Sequence, residues 1–175
     1  MEIIFTLGED CRYSTIARRN DGVVLRVPSF DRLSPLPHDI AHCIGEQGLG
    51  VRRGFWGCVA DGALFPGIEV VSGRQVPHAA ERSRALIREA GQHGTEAEVF
   101  VEVLLRLMHA GLDSREPAVR AALNEMWRPA KPARALPDPA EARRVCRELR
   151  ETQERWQALQ QGENLVLEWS LDRRR

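Results

Sequence analysis

His38, Asp39 and His42 stand in the stretch SPLPHDIAHCIGEQGLG, residues 34–50, with Glu46 one turn further on. On a helix, His38 and His42 lie four residues apart on one face, where two imidazoles can share one ion. That spacing underlies H-E-x-x-H sites, in which two histidines bind zinc and the glutamate acts as base toward metal-bound water. Asp39 occupies the base position here. Its side chain is one methylene shorter, so it can act as base, bind the metal itself or orient a histidine. Glu46 is a candidate third ligand. Side chains lean toward the helix N-terminus, which brings it back toward His42, although positions 38 and 46 are about 12 Å apart along the axis. These residues predict a divalent metal such as zinc on His38, His42 and Glu46. Asp39 is then the catalytic group of a metal-dependent hydrolase or lyase. The alternative is a non-catalytic structural or protein-interaction domain whose His/Asp helix holds no metal. Such residues in the first turns of a helix also cap it, pair with arginine or line an interface.

The elements that must position this stretch can be read from patterning. In EIIFTL, Ile3, Phe5 and Leu7 alternate onto one face, and Val23, Leu25 and Val27 do so again after the turn Asn20-Asp21-Gly22. A three-stranded antiparallel meander over about residues 2–28 follows. Ser34 can cap a helix with Pro35 and Pro37 in its first turn. That start would put His38 near the positive helix end, which disfavours imidazolium and leaves the neutral ring a metal needs. Further helices are predicted within residues 51–67, in HAAERSRALIREAG, in TEAEVFVEVLLRLMHAGL and in EPAVRAALNEMW. The third of these stretches starts at a Thr95/Glu98 capping box if His93 lies in a loop. The prolines from Pro129 to Pro139 predict a surface loop over about 129–139. Asp138-Pro139-Ala140-Glu141 opens a last helix, and the alternation of Leu165, Leu167 and Trp169 predicts a closing strand on the N-terminal meander. The expected fold is α+β in one domain, 1–175: a small antiparallel sheet from both chain ends packed against five to six helices.

Composition narrows the function classes. The 175 residues carry 25 basic and 25 acidic side chains, so the net charge is zero. A dedicated nucleic-acid binder needs surplus positive surface to displace counterions, so nucleic acid is not the expected partner. Lys131 is the only lysine and the other basic residues are arginine, a coding bias rather than a functional signal. Cys11, Cys43, Cys58 and Cys146 form no C-x-x-C pair. The start MEIIFTLGED lacks the basic and long apolar regions of a signal peptide, and no apolar run is long enough to span a bilayer. A cytoplasmic protein with reduced thiols is expected, its partner a small molecule or a protein rather than a membrane.

Three resemblances attach to these residues. HDIAHCIGEQG resembles the H-E-x-x-H-x-x-G-x-x-H signature of the metzincin metallopeptidases at His38, His42 and Gly45, with Asp39 for the glutamate and Gly48 for the third histidine. His38, Asp39 and His42 also resemble the motif of the ubiquinone-biosynthesis family with an H-D-x-x-H-x11-E site, whose glutamate falls at Gly54 here. LPHDIAH, GFWGCVA and WQALQQGENLVLEW together resemble an actinobacterial-type bacterial protein family, which implies no activity. Other candidates are weaker. His78-x-x-Glu81 has ligand spacing, His109 suits a helix C-terminus, and Cys43 and Cys58 read as core thiols. Arg52 and Arg53 beside Phe55 and Trp56 read as arginines turned outward over buried aromatics.

Overall fold

Four strands pair in sequence neighbours, and the last strand of the chain joins the other side of the first. In this computed structural model, residues 1–9, 12–29, 34–130 and 135–170 are described. The strands are β1 (Glu2–Leu7), β2 (Tyr13–Arg18), β3 (Val24–Val27), β4 (Glu69–Ser72) and β5 (Asn164–Glu168), in the order β4-β3-β2-β1-β5, every pair antiparallel. Period-2 alternation sets the register: Ile3 faces Ala17 and Leu167, and Phe5 faces Thr15 and Leu165, all six buried. The expected meander and closing strand are therefore present. β4 is an addition that the sequence did not announce. It pairs with β3 through an irregularity at Val24/Leu25 and keeps most of its side chains in solvent, so it carries no alternation to read.

Five helices among the described residues cover the buried face: α1 (His38–Gly48), α2 (Phe55–Asp61), α3 (Ala79–His109), α4 (Glu116–Ala130) and α5 (Pro139–Gln157). α1 begins three residues later than a Ser34 cap suggested, with Pro37 as N-cap and no side-chain cap. The cause is the pair of prolines. Each disfavours helical dihedrals in the residue before it, here Ser34 and Leu36. α3 is one helix of 31 residues, where two were expected. The backbone continues through Gly91, His93 and Gly94, so there is no loop at His93 and no capping box at Thr95. Interior glycine costs about 1 kcal/mol relative to alanine, and α3 meets that cost with packing against α1, α2, α4 and α5. At the other end Gly111 takes φ 65°, the left-handed conformation that stops a helix.

The proline-rich loop is shorter than predicted. Residues 129 and 130 belong to α4, 131–134 lie outside the described residues, and 135–138 are irregular. Asp138 opens α5 as expected, its Oδ1 accepting the Ala140 N–H at 2.7 Å. One contiguous core joins the sheet to the helices, from Ile3 and Phe5 through Ile40, Trp56, Phe100 and Leu104 to Leu149 and Leu165. Two glycines let α1 sit close to its neighbours. A Cβ at Gly45 would lie 2.9 Å from Val101 of α3, and one at Gly48 would lie 2.6 Å from Val145 of α5. The Gly45 contact sets the α1–α3 spacing one turn from His42. No helix among the described residues is long and apolar enough to cross a membrane.

Candidate metal centre

His38 is the first residue of α1 and His42 follows one turn later, their ring centroids 4.5 Å apart. Because α1 packs closely on α3, a third group reaches them. Glu98 Oε2 lies 3.3 Å from His42 Nε2 and 3.7 Å from His38 Nε2, and one ligand atom from each residue lies within 4.8 Å of the others. Ligands about 2.1 Å from a tetrahedral ion are about 3.4 Å apart, so the two short separations match one shared ion. His42 is 5% exposed, whereas His38 and Glu98 are open to solvent. A metal here would have a buried anchor and an accessible side.

Glu46 has a different place from the one expected. Its carboxylate lies 3.0 Å from His42 Nδ1, the ring nitrogen that does not face Glu98. It also accepts the Phe55 N–H at 2.8 Å on Oε1 and the Trp56 N–H at 3.0 Å on Oε2. These are the first two amides of α2, whose N-cap Gly54 offers no side chain. Glu46 therefore caps α2 from the last turn of the preceding helix and fixes the His42 ring. Once the ring is neutral, as a metal requires, Nδ1 donating to Glu46 leaves the lone pair on Nε2, the carboxylate–histidine arrangement that orients metal-bound imidazoles. Nε2 itself is buried, and Glu98 stands at ion-pair distance from it. Gly54, where the H-D-x-x-H-x11-E pattern has its glutamate, packs on this carboxylate. A Cβ there would lie 2.2 Å from the Glu46 carboxyl carbon. Gly48, at the third-histidine position of the metzincin pattern, faces Val145.

Asp39 is held at the wall of the same site. Its Oδ2 accepts the Tyr13 hydroxyl at 2.7 Å, and its carbonyl accepts the Trp56 indole N–H at 2.8 Å. A cavity of about 220 Å³ opens over the cluster, lined by His38, Asp39, His42 and Glu98 with Phe55, Phe65 and Ile68 among its apolar walls. His78 and Glu81 pair with each other at 3.5 Å in solvent and do not join the group. Cys43 and Cys58 are buried, and burial pushes both thiols up, Cys58 to about 11, so neither is a ready thiolate ligand. Trp56 is fully buried while Arg53 pairs with Asp61 at 2.7 Å, so Trp56 faces inward as expected, and Phe55 is partly buried at the cavity wall.

In the metal-free protein His42 is not held as a neutral ring. Burial works against its protonation, but the carboxylates of Glu46 and Glu98 outweigh burial and raise its pKa from 6.5 to about 9. The His42 ring in turn holds the Glu98 carboxyl below the ordinary carboxylate range, with partial burial opposing. A raised histidine pKa stabilises the fold fully below the unfolded value of 6.5, and the contribution is lost as pH rises through about 9. Glu98 contributes above its unfolded value of 4.5 and loses that contribution in more acid solution. Metal-free protein should thus lose about 1–2 kcal/mol between pH 6 and pH 9.5, after allowance for screening at the exposed Glu98. Urea unfolding in the presence of chelator at those two pH values measures it, and His42→Gln should flatten the difference.

Glu98 is the residue that sequence reasoning missed. Its only signal, Thr95-x-x-Glu98, fits a capping box as well as it fits any ligand role. The chain matches no family model, no curated protein and no solved structure.

Proposed function

We propose that this protein binds one divalent transition metal through His38 Nε2, His42 Nε2 and a Glu98 carboxylate oxygen, and uses it as a metal-dependent hydrolase or lyase. The observation that carries the reading is His42. A buried imidazole nitrogen needs a partner, and here it is aimed at a carboxylate and a second histidine, its other nitrogen fixed by Glu46. Two histidines and one carboxylate are also the donor set of catalytic rather than structural zinc sites. Those keep a fourth position open for water or substrate, and the cavity above His38 and Glu98 provides that access. A bound ion of this kind activates water or polarises an oxygen of the substrate. Asp39, steadied by Tyr13 at the cavity wall, is the proton acceptor of this scheme.

Elemental analysis of untagged protein purified without chelator should find about one zinc, manganese or iron per chain, and chelator should lower the melting temperature. At a free metal concentration a hundredfold above Kd, the ion adds about 2.7 kcal/mol of stability. Protein that contains no metal, takes up none of the three and melts identically with and without chelator would support the non-catalytic alternative instead.

A further inference from the structure

Behind the candidate metal centre lies a second cavity, of about 310 Å³. His42 and Glu98 line both cavities, and so do Phe55 and Phe65, whose ring centroids are 5.1 Å apart. The α3 wall holds Ile87 and then, among the described residues, a strip with no side chain larger than a methyl: Ala90, Gly91, Gly94 and Ala97. Nothing lies within 4 Å of where a Cβ would stand at Gly91 or Gly94. Both positions are helical, so neither needs glycine for its backbone, and alanine would be the better helix former. What the two glycines preserve is space. The strip alone would not make a site. It becomes one because His42 and Glu98, two of the proposed metal ligands, line the same space. Among the described residues, His42 and Glu98 are also the only titratable groups lining it.

We infer that the ligand of the metal centre is a small amphipathic molecule: an oxygen-donor head reaches the ion, and an uncharged hydrocarbon part of about four to six carbons lies along Gly94 and Gly91 of α3. The inference rests on the proposed metal reading. Size follows from the cavity, which is at the small end of ligand pockets. Polarity follows from the wall. Among the described residues, those other than Glu98 that line the cavity along α3 are apolar or glycine, so a charged tail would be desolvated with none of them as a partner. Reach follows from the helix. Gly94 is one turn from Glu98, about 6 Å along the axis, so a chain attached to a metal-bound head enters the strip within a few bonds.

Hydroxamates are suitable probes, since their paired oxygens chelate a metal whatever hydrocarbon they carry. Zinc-loaded protein is titrated calorimetrically with acetohydroxamic acid and with hexanohydroxamic acid, which has four more methylenes. Each fully buried methylene is worth about fourfold in affinity, so the longer probe should bind at least about tenfold tighter even where the cavity is open to solvent. Gly94→Leu fills the strip and should bring that preference below about threefold, with zinc content unchanged. Gly94→Ala is the folding control and should raise the melting temperature by about 2 °C. Zinc-loaded protein that binds both hydroxamates equally, or a Gly94→Leu protein that keeps the full preference, overturns the inference and leaves the metal reading standing. Protein that takes up no zinc and binds neither hydroxamate overturns both together.

Discussion

Replacing Glu46 by alanine should destabilise the protein by about 3–5 kcal/mol, the cost of removing one partner from a buried ion pair. Three losses coincide in this substitution. The Phe55 and Trp56 amides lose their acceptor, α2 loses the side chain that caps it, and His42 loses the partner of Nδ1. Glu46 is 1% exposed, so the removed carboxylate leaves a void rather than a surface that water can heal. For a chain of this length the melting temperature should fall by roughly 10 °C. Glu46→Gln separates the structural from the metal-directed part. The amide keeps the volume and one acceptor, so most stability should survive, but it cannot hold His42 as an ionised carboxylate does. Metal affinity should drop about 10–100-fold, the usual effect of losing a partner behind a ligating histidine. A Glu46→Ala protein within 1 kcal/mol of wild type would show that the carboxylate anchors neither α2 nor the ring.

The contrast between Glu46 and Glu98 shows where sequence reading stops. Period-2 alternation placed β1, β3 and β5 because each has a buried face, the Asn20-Asp21-Gly22 turn placed β2 as a hairpin partner, and Asp138-Pro139 placed α5 because a cap is a local interaction. β4 was not legible because its residues bury little, and the length of α3 was not because two interior glycines mimic a break. At the site, His38 and His42 could be paired from spacing alone, since one helix fixes both. Glu46 was visible as an acidic group one turn on, but its role depends on Gly54 bringing the start of α2 against it, which no spacing encodes. Glu98 is sixty residues from His38 in the chain. It reaches the histidines only because α3 is unbroken and Gly45 lets α1 approach Val101. Local rules therefore supplied one side of the candidate centre, and helix packing supplied the other.

Glu98→Ala should abolish stoichiometric metal binding while leaving the metal-free fold nearly as stable as wild type. Its side chain is 62% exposed, and its pairing with the two histidines is an ion pair at the surface, worth about 0–1 kcal/mol. As one of three ligands it carries far more. Its loss should weaken metal binding by more than about 100-fold, beyond the effect of any residue that only supports a ligand. The stabilisation that metal adds to wild type should then vanish, so the chelator-induced shift in melting temperature disappears in the variant. Asp39→Asn provides the opposite pattern, with metal content retained and turnover reduced, because its carboxylate is held by Tyr13 rather than by the ion. Proton competition supplies an independent check. His42 holds its proton up to about pH 9 in the metal-free protein, and an ion must displace it. Wild-type affinity should therefore fall about tenfold for each pH unit below 9. A metal-loaded Glu98→Ala protein with wild-type affinity would remove Glu98 from the centre and leave two histidines on one helix, which is too few protein ligands for a site of this kind.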